Sequence, residues 1–164
     1  MATGREMYLT QRIGEYLVCA ELCRQGFIAT PFAGNVPEFD IVAINSKFKT
    51  QHIQVKTIKG GQWQLRADRF LDISITADKK QIINGKKKIQ DANLICIFVK
   101  LISREKDEFY IFKLADLQNI LLESHSKWLT EHGLKRPRNP ESMHTSVSTA
   151  MLSDYLDKWE LLKI

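Results

Sequence analysis

The sequence predicts an α/β fold in which a central mixed β-sheet is flanked by helices. Three observations support this prediction: an amphipathic helical segment near the start of the chain, two strand-like runs joined by a polar turn, and a later, almost continuous apolar run. The chain has 164 residues, of which 44% are hydrophobic and 26% are charged. These values are typical of a globular protein, so we expect residues 1–164 to form a single domain.

The first predicted element is a helix over residues 10–25. Thr10 is a suitable N-cap, and Gly26 follows the helix at the position where a glycine commonly ends one. Glu15 has helical spacing with three apolar residues, Val18, Cys19 and Leu22. A second apolar stripe is expected at Ile13, Leu17 and Ala20. A carboxylate within an apolar face is costly unless it has a partner, so Glu15 requires an explanation.

The strands follow in order. Residues 39–57 predict a hairpin, with FDIVAI as the first strand, SKFKT as the turn and QHIQVKT as the second strand. The segment WQLRADRFLDISI contains one or two further strands. The apolar run ANLICIFVKLI indicates a buried strand, with EFYIFKL as its neighbour. A helix is expected at LADLQNILLESH, and a last helix at residues 147–158.

Composition also excludes some classes of protein. Apolar runs are too short for a membrane span, and MATGREMYLTQ has no apolar signal region, so we expect a cytoplasmic protein without membrane contact. The three cysteines, Cys19, Cys23 and Cys96, fit no even disulfide framework. No matching Cys or His pair follows the first two, which favours buried, reduced thiols over a bridge or a metal site.

The charge of the chain is concentrated in two places. The formal net charge is +5 at pH 7. One basic run contains Lys79, Lys80, Lys86, Lys87 and Lys88, and a second contains Lys135, Arg136 and Arg138. Each run alone is consistent with a solvated loop. Two such loops flanking one site favour contact with the phosphates of a nucleic acid.

Polar residues in the hairpin indicate where chemistry occurs. Alternation along the strands puts Asp40 near Gln54 and Lys56, and Glu15 on a packed helix can complete the cluster. Carboxylate and carbonyl oxygens are the ligands that Mg²⁺ prefers. A metal neutralises phosphate charge and activates water, and a neighbouring lysine can orient or deprotonate that water. The cluster therefore suits hydrolysis of a phosphodiester.

These residues resemble the motifs of the P-D…(D/E)-x-K nuclease superfamily, also written PD-(D/E)XK. The matching residues are Gly14 and Glu15 on the helix, Pro37 with Asp40, and Gln54, Val55 and Lys56. The resemblance covers about residues 10–60 and is closest to the Q-x-K homing endonuclease and resolvase-like members. It implies a restriction-endonuclease-like core.

The resemblance also implies roles for individual residues. Glu15, Asp40 and Gln54, with the Val55 carbonyl, would hold Mg²⁺ or Mn²⁺, and Lys56 would act on the attacking water. The implied activity is that of a metal-dependent endonuclease that hydrolyses DNA, in homing, restriction or recombination, and RNA stays open as a substrate. One site cuts one strand, so duplex cleavage predicts a homodimer or homotetramer.

Phosphate contacts are expected from the following basic residues: Lys59, Lys79, Lys80, Lys86, Lys87, Lys88, Arg136 and Arg138. Two departures from the motif matter. Pro37 is separated from Asp40, and Gln54 replaces an acid, which removes one charge from the metal site. Two alternatives therefore stay open, a catalytically silent nucleic-acid-binding protein and a toxin-type RNase of the same fold.

Each residue also has a purely structural interpretation. Glu15 can pair with Arg12 or Arg24 on its own helix. Asp40 can cap the turn after Pro37, and Lys56 can extend from a strand end towards solvent.

Overall fold

The computed structural model describes residues 3–32 and 38–162. Two α-helices lie in these ranges, α1 (Gly4–Arg24) and α2 (Leu114–Glu131). The strands are β1 (Ile28–Pro31), β2 (Ile41–Ile44), β3 (Thr50–Ile58), β4 (Trp63–Arg66), β5 (Leu71–Ile75), β6 (Gln81–Lys86), β7 (Ile95–Lys100), β8 (Glu108–Lys113) and β9 (His144–Val147). Short 3₁₀ helices follow β4 and β9, at Ala67–Arg69, Ala150–Tyr155 and Trp159–Leu162.

A five-stranded mixed sheet forms the centre of the fold, in the order β1-β2-β3-β7-β8. β3 and β7 are parallel, whereas the other neighbouring pairs are antiparallel. The predicted hairpin is confirmed by the β2–β3 pair, in which Ile41 lies opposite Ile53. The predicted buried strand is β7, and its predicted neighbour β8 pairs with it. The expected fold class, a central mixed sheet flanked by helices, is confirmed.

Each face of this sheet covers its own hydrophobic core. On one face, α1 packs against β2 and β3 through Val18 and Leu22, which contact Ile53 and Val55 in the same buried cluster. The other face is covered by α2 and by β4, β5 and β9. Its core contains Trp63, Phe98, Phe112, Leu117 and Leu121. Alternation along β3 therefore turns Ile53 and Val55 towards α1, and Gln54 and Lys56 towards the second core.

The helix α1 begins earlier than the sequence analysis predicts. Thr3, not Thr10, is the N-cap, and it forms a capping box with Glu6. The helix ends as predicted, because Gly26 adopts φ +88°, a left-handed conformation that favours glycine. The face containing Glu15 is buried as expected. The second predicted stripe is wrong: Ile13 is 42% exposed and Ala20 is also exposed.

The first basic run is only partly the predicted loop, because a strand occupies its middle while Lys87 and Lys88 lie beyond that strand. Gln81–Lys86 is strand β6, which pairs with β5 in an antiparallel hairpin whose turn carries Lys79 and Lys80. The Asn-Gly pair in this run marks a bulge and not a turn, since the register shifts there: Asp72 lies opposite Gly85, but Ile73 lies opposite Ile83. A bulge inserts one extra residue into a strand and bends it.

The predicted helix at 147–158 is also wrong. Val147 ends strand β9, which pairs with β4 so that Val147 lies opposite Trp63. A 3₁₀ helix at Ala150–Tyr155 follows, and it buries Leu152 in the second core. Ser, Thr and Asp residues are frequent in this segment, and their side chains compete for backbone hydrogen bonds and disfavour a long α-helix.

The other expectations concern thiols, membranes and one residue of the motif. All three cysteines are free, and Cys19 and Cys96 are buried, but Cys23 is exposed, which corrects the prediction for that residue. Among the helices of the described ranges, none combines the length and apolar character needed to cross a membrane. Pro37, which is one of the residues matched to the nuclease motif, lies in a segment, residues 33–37, that the structure does not describe.

Candidate active site

Asp40 lies immediately before β2, beside the edge of β3. Its N–H donates to the Ile53 carbonyl at 2.8 Å. Its side-chain Oδ2 accepts a hydrogen bond from the Val55 N–H at 2.7 Å. A short carboxylate bond to a backbone N–H is stronger than a neutral one, so this contact fixes the carboxylate against β3. Any cap on the turn after Pro37 lies outside the described residues.

Three side chains of β3 share one face, because residues two apart in a strand point the same way. They are His52, Gln54 and Lys56, and all three line a cavity of about 1210 Å³ whose wall also includes Asp40. The motif spacing predicts that Asp40, Gln54 and Lys56 lie together, and all three line this one cavity.

Glu15 approaches from the other side of the sheet, on α1. It is 5% exposed, and its Oε2 forms an ion pair with Arg12 Nη1 at 2.6 Å. Its Oε1 accepts a hydrogen bond from Gln11 Nε2 at 3.0 Å. One structural alternative, pairing with Arg12, is therefore present. Each carboxylate oxygen keeps further lone pairs. Unlike Asp40, Gln54 and Lys56, however, Glu15 is not among the residues that line the cavity.

A glycine brings α1 close enough for this approach. A Cβ added to Gly14 would lie 1.9 Å from Thr57 Oγ1 and 2.9 Å from Thr57 Cβ. Any side chain at this position would therefore collide with β3. The helix is held against the strand at the turn that carries Glu15, which explains why the Gly-Glu pair occurs together.

The environment of Asp40 raises the pKa of its carboxyl group. Burial raises the pKa of Asp40, and the nearby Glu15 carboxylate adds to this rise. The Val55 N–H bond is the main opposing influence, with smaller contributions from Lys56 and Arg12. A carboxylate that is costly to ionise gains more than a solvated one from a bound cation.

The donor atoms are suited to a hard cation, although the site has few charges. Carboxylate oxygens of Asp40 and Glu15, the Gln54 amide oxygen and the Val55 carbonyl are all ligand types that Mg²⁺ accepts. No group of three or more His, Cys, Asp or Glu side chains suited to a metal occurs within residues 3–32 and 38–162. With two acids, we expect the site to bind a divalent cation weakly.

Four basic residues also line the cavity. Lys87 and Lys88, which the sequence analysis selects, line the cavity together with Arg66 and Arg69, which it does not. Arg66 also pairs with Asp68 at 2.8 Å. The alternation W-Q-L-R in β4 puts Arg66 on the face of the strand that does not carry the buried Trp63 and Leu65. The sequence does not show that this face lines the cavity.

A buried glutamine holds this wall in place. Gln118 of α2 is 4% exposed, and its Nε2 donates to the Phe70 and Lys87 carbonyls, at 2.8 Å each. These bonds tie both ends of the β5–β6 hairpin to α2. The backbone that carries Lys87 is therefore fixed relative to the central sheet.

The remaining predicted phosphate contacts lie away from the cavity wall. Lys79 pairs with Glu141 at 3.3 Å and Lys80 with Asp78 at 3.0 Å. Lys86 donates to Asn119 Oδ1. Lys59 and Arg138 are exposed.

Arg136 has an internal role. Its guanidinium lies 4.5 Å from the centre of the Trp128 ring and donates to the His144 carbonyl. These contacts connect α2 to β9 and leave Arg136 poorly placed for a phosphate.

The cavity wall also contains a pair formed by a histidine and an aspartate, which the sequence does not lead us to expect. His52 Nδ1 lies 2.7 Å from Asp91 Oδ2, and the His52 ring stacks on Phe39 with a centroid separation of 4.4 Å. Although burial opposes it, hydrogen bonds from His52 and the Asn93 N–H lower the pKa of Asp91. Nothing in the local sequence connects residues 52 and 91, which only the β3–β7 pairing brings together.

Comparisons with known proteins agree with this fold. A bacterial homing endonuclease, I-Ssp6803I, superimposes with a TM-score of 0.51 at 12% sequence identity, over 94% of this chain and 91% of that one. The Holliday junction resolvase Hjc of Archaeoglobus fulgidus gives a TM-score of 0.49 at 17% identity, over 93% and 95%. No protein-family model and no curated protein sequence matches the chain. The similarity to I-Ssp6803I shows that this chain and that homing endonuclease share a fold.

Proposed function

We propose that this protein is a Mg²⁺-dependent endonuclease that hydrolyses phosphodiester bonds in DNA. The observation that carries the proposal is the convergence of Asp40, Gln54 and Lys56 on one cavity that four basic residues also line. The fold shared with a homing endonuclease agrees with it. Homing, restriction and recombination all remain within the proposal.

The proposed ligands are oxygens that belong to different elements. Asp40 holds the cation with its carboxylate, Gln54 with its amide oxygen, and β3 with the Val55 carbonyl. Glu15 adds a second negative charge from α1. When bound, Mg²⁺ neutralises charge on the phosphate and lowers the pKa of a coordinated water.

The other proposed roles fall to groups already in the cavity wall. Lys56 acts on the attacking water in one of two ways: the neutral amine accepts a proton from the water, or the ammonium orients the water and attracts the phosphate. Arg66, Arg69, Lys87 and Lys88 bind phosphates on either side of the scissile bond. The resemblance to the PD-(D/E)XK nucleases implies products that carry a 5′-phosphate and a 3′-hydroxyl.

The proposed substrate is duplex DNA, and this sets the number of subunits. One cavity of this kind acts on one strand. Cleavage of both strands therefore calls for two copies related by symmetry, in a homodimer or a homotetramer.

A plasmid-nicking assay with Mg²⁺ or Mn²⁺ tests this proposal. We expect the wild type to convert supercoiled plasmid to nicked and linear forms. Asp40→Ala and Lys56→Ala should each reduce the rate by at least about 100-fold, the lower range for loss of an acid–base or metal-binding group. Chelation of the metal should stop the reaction.

Two controls make the assay decisive. Lys106→Ala removes an exposed lysine from the loop between β7 and β8 and should cleave like the wild type. A wild-type preparation that binds DNA but never cuts it would contradict the proposal. Cleavage that survives Asp40→Ala would contradict the assigned site.

A second candidate function, a nucleic-acid-binding protein without catalysis, is favoured by one observation. Gln54 stands where an acid would add charge, and the described residues contain no cluster of three metal-binding acids. The same assay distinguishes the two candidates. Adding tRNA and duplex RNA as substrates tests the toxin-type RNase, which would cut tRNA in preference to plasmid.

A further inference from the structure

The edge of β3 that faces β2 loses its backbone partner near the site. The β2–β3 register ends with Ile41 opposite Ile53, whereas β7 pairs with β3 as far as Ile58. Within residues 3–32 and 38–162, no strand therefore pairs with the peptide groups of Val55 and Thr57 on the β2 side. Unpaired backbone groups in a partly buried position are costly, so their partners need to be identified.

The side chain of Gln11 supplies two of these partners. Its Nε2 donates to the Val55 carbonyl at 2.9 Å, and its Oε1 accepts from the Thr57 N–H at 3.2 Å. One amide side chain thus makes the donor and acceptor bonds that a neighbouring peptide would make. Asp40 Oδ2 completes the edge by accepting from the Val55 N–H.

Gln11 makes a third bond, to Glu15. Its Nε2 also donates to Glu15 Oε1 at 3.0 Å. An amide nitrogen has two hydrogens, so Gln11 can make both donor bonds at once. The same side chain therefore contacts a carboxylate and a carbonyl that the proposed function assigns to the metal.

We infer that Gln11 is a positioning residue that fixes Glu15 and the Val55 carbonyl relative to Asp40, so that the three can bind one divalent cation. This inference rests on the proposed function. A carbonyl oxygen has two lone pairs, so the Val55 oxygen can accept from Gln11 and retain one for a cation. Residues that orient metal ligands commonly change metal affinity or activity by 10–100-fold when they are replaced.

The side chain needs both its amide groups and its length for this role. Methionine fills the same space without a hydrogen-bonding amide. Asparagine keeps the amide but is one methylene shorter, so it cannot span from α1 to both peptides of β3. We therefore expect Gln11→Met and Gln11→Asn to fail in the same way.

The experiment compares these two variants with the wild type and with Gln25→Met. Gln25 is an exposed glutamine at the C-terminal cap of the same helix, so it controls for the loss of an amide on α1. Amide hydrogen exchange at Thr57 reports the bond to Gln11. Isothermal titration with Mn²⁺ alone, without DNA, reports cation affinity.

We expect both Gln11 variants to exchange the Thr57 amide faster and to bind Mn²⁺ about 10–100-fold more weakly, whereas Gln25→Met changes neither. Cleavage by the Gln11 variants should recover towards the wild-type rate at saturating Mn²⁺. A purely structural role would not produce that recovery.

Three results would overturn the inference. Unchanged Thr57 exchange would show that the bond is not formed. Faster exchange with wild-type Mn²⁺ affinity would show that Gln11 only completes the strand edge. If the wild type itself binds no Mn²⁺, the proposed function fails and this inference fails with it, which distinguishes that case from the other two.

Discussion

The two edges of β3 are hydrogen-bonded in different ways. On the β7 side, backbone pairing runs without interruption from Ile53 to Ile58. On the β2 side, backbone pairing stops at Ile53, and side chains from Asp40 and Gln11 continue the edge. The first edge gives the strand a fixed position. The second brings polar side chains against the backbone where β2 is too short to reach.

This difference explains how a site can form in a sheet with two apolar cores. Buried backbone groups need partners, and a missing strand allows charged or amide side chains to provide them. Buried polar side chains would be costly elsewhere in the core. At this edge of β3 they are tolerated because they form the hydrogen bonds that the unpaired backbone groups require. Asp40 and Gln11 provide these bonds at the edge of β3, and Gln11 also donates to Glu15.

The largest expected effect is that of Asp40→Asn, which keeps an oxygen for the Val55 N–H but removes the charge. Cleavage should fall by at least about 100-fold if Asp40 binds the metal. The free energy of unfolding should rise although cleavage falls. Because the folded state raises the pKa of Asp40, ionisation of this residue costs stability as pH rises through that pKa.

Thermal unfolding at several pH values checks this prediction. At pH 8 and without metal, Asp40→Asn should be more stable than the wild type by about 0.5–2 kcal/mol, a common gain when a strained functional group is removed. The gain should disappear below the ordinary Asp pKa of about 3.9. Asp72→Asn, at an exposed position on β5, is the control. A less stable Asp40→Asn protein at pH 8 would contradict the assigned environment.

A smaller effect is expected from Gly14→Ala, which disturbs the contact of α1 with the open edge. The added Cβ would lie 1.9 Å from Thr57 Oγ1, and Thr is too stiff at χ1 to move away freely. Overpacking of this kind costs about 1–3 kcal/mol in the free energy of unfolding. Chemical denaturation measures it, with Gly4→Ala as the matched control, since nothing lies within 4 Å of a Cβ at Gly4. Equal stability of the two variants would show that α1 does not approach β3 this closely.

The smallest effect concerns Lys87 and Lys88, two of the basic residues that line the cavity. Lys87→Ala and Lys88→Ala should each weaken DNA binding a few-fold and lower the slope of log affinity against log salt by about 1. Fluorescence anisotropy at several salt concentrations measures this slope. Lys106→Ala should leave it unchanged. If Lys106→Ala lowers the slope as much as the other two, the cavity wall is not a specific phosphate-binding surface.

The sequence predicts the parts of the fold that depend on local pattern. The hairpin 39–57 and the strand β7 follow from apolar alternation and from a continuous apolar run, and the structure has both. Strand β6 is missed because five lysines obscure two β-branched residues, Ile82 and Ile83. The bulge at Asn84 is missed because an Asn-Gly pair more often marks a turn.

The candidate site is predictable only in part for a similar reason. Motif spacing leads to Asp40, Gln54 and Lys56, because two adjacent strands carry them. Gln11, Arg66 and the His52–Asp91 pair are found only through tertiary contacts between residues distant in sequence. The capping box of Thr3 and Glu6 has a recognisable sequence signature, T-x-x-E. The predicted N-cap at Thr10 is therefore wrong although the sequence contains the correct signal.

The most direct test of a metal-dependent site at the open edge of β3 is an anomalous difference map from crystals soaked in Mn²⁺. The proposal predicts a peak between Asp40 and Gln54, about 2.1 Å from the nearest oxygens, the distance typical of a small hard cation. The peak should be absent from Asp40→Asn crystals treated in the same way. Wild-type crystals that show no Mn²⁺ at these residues, or that show it only elsewhere, would contradict the central claim.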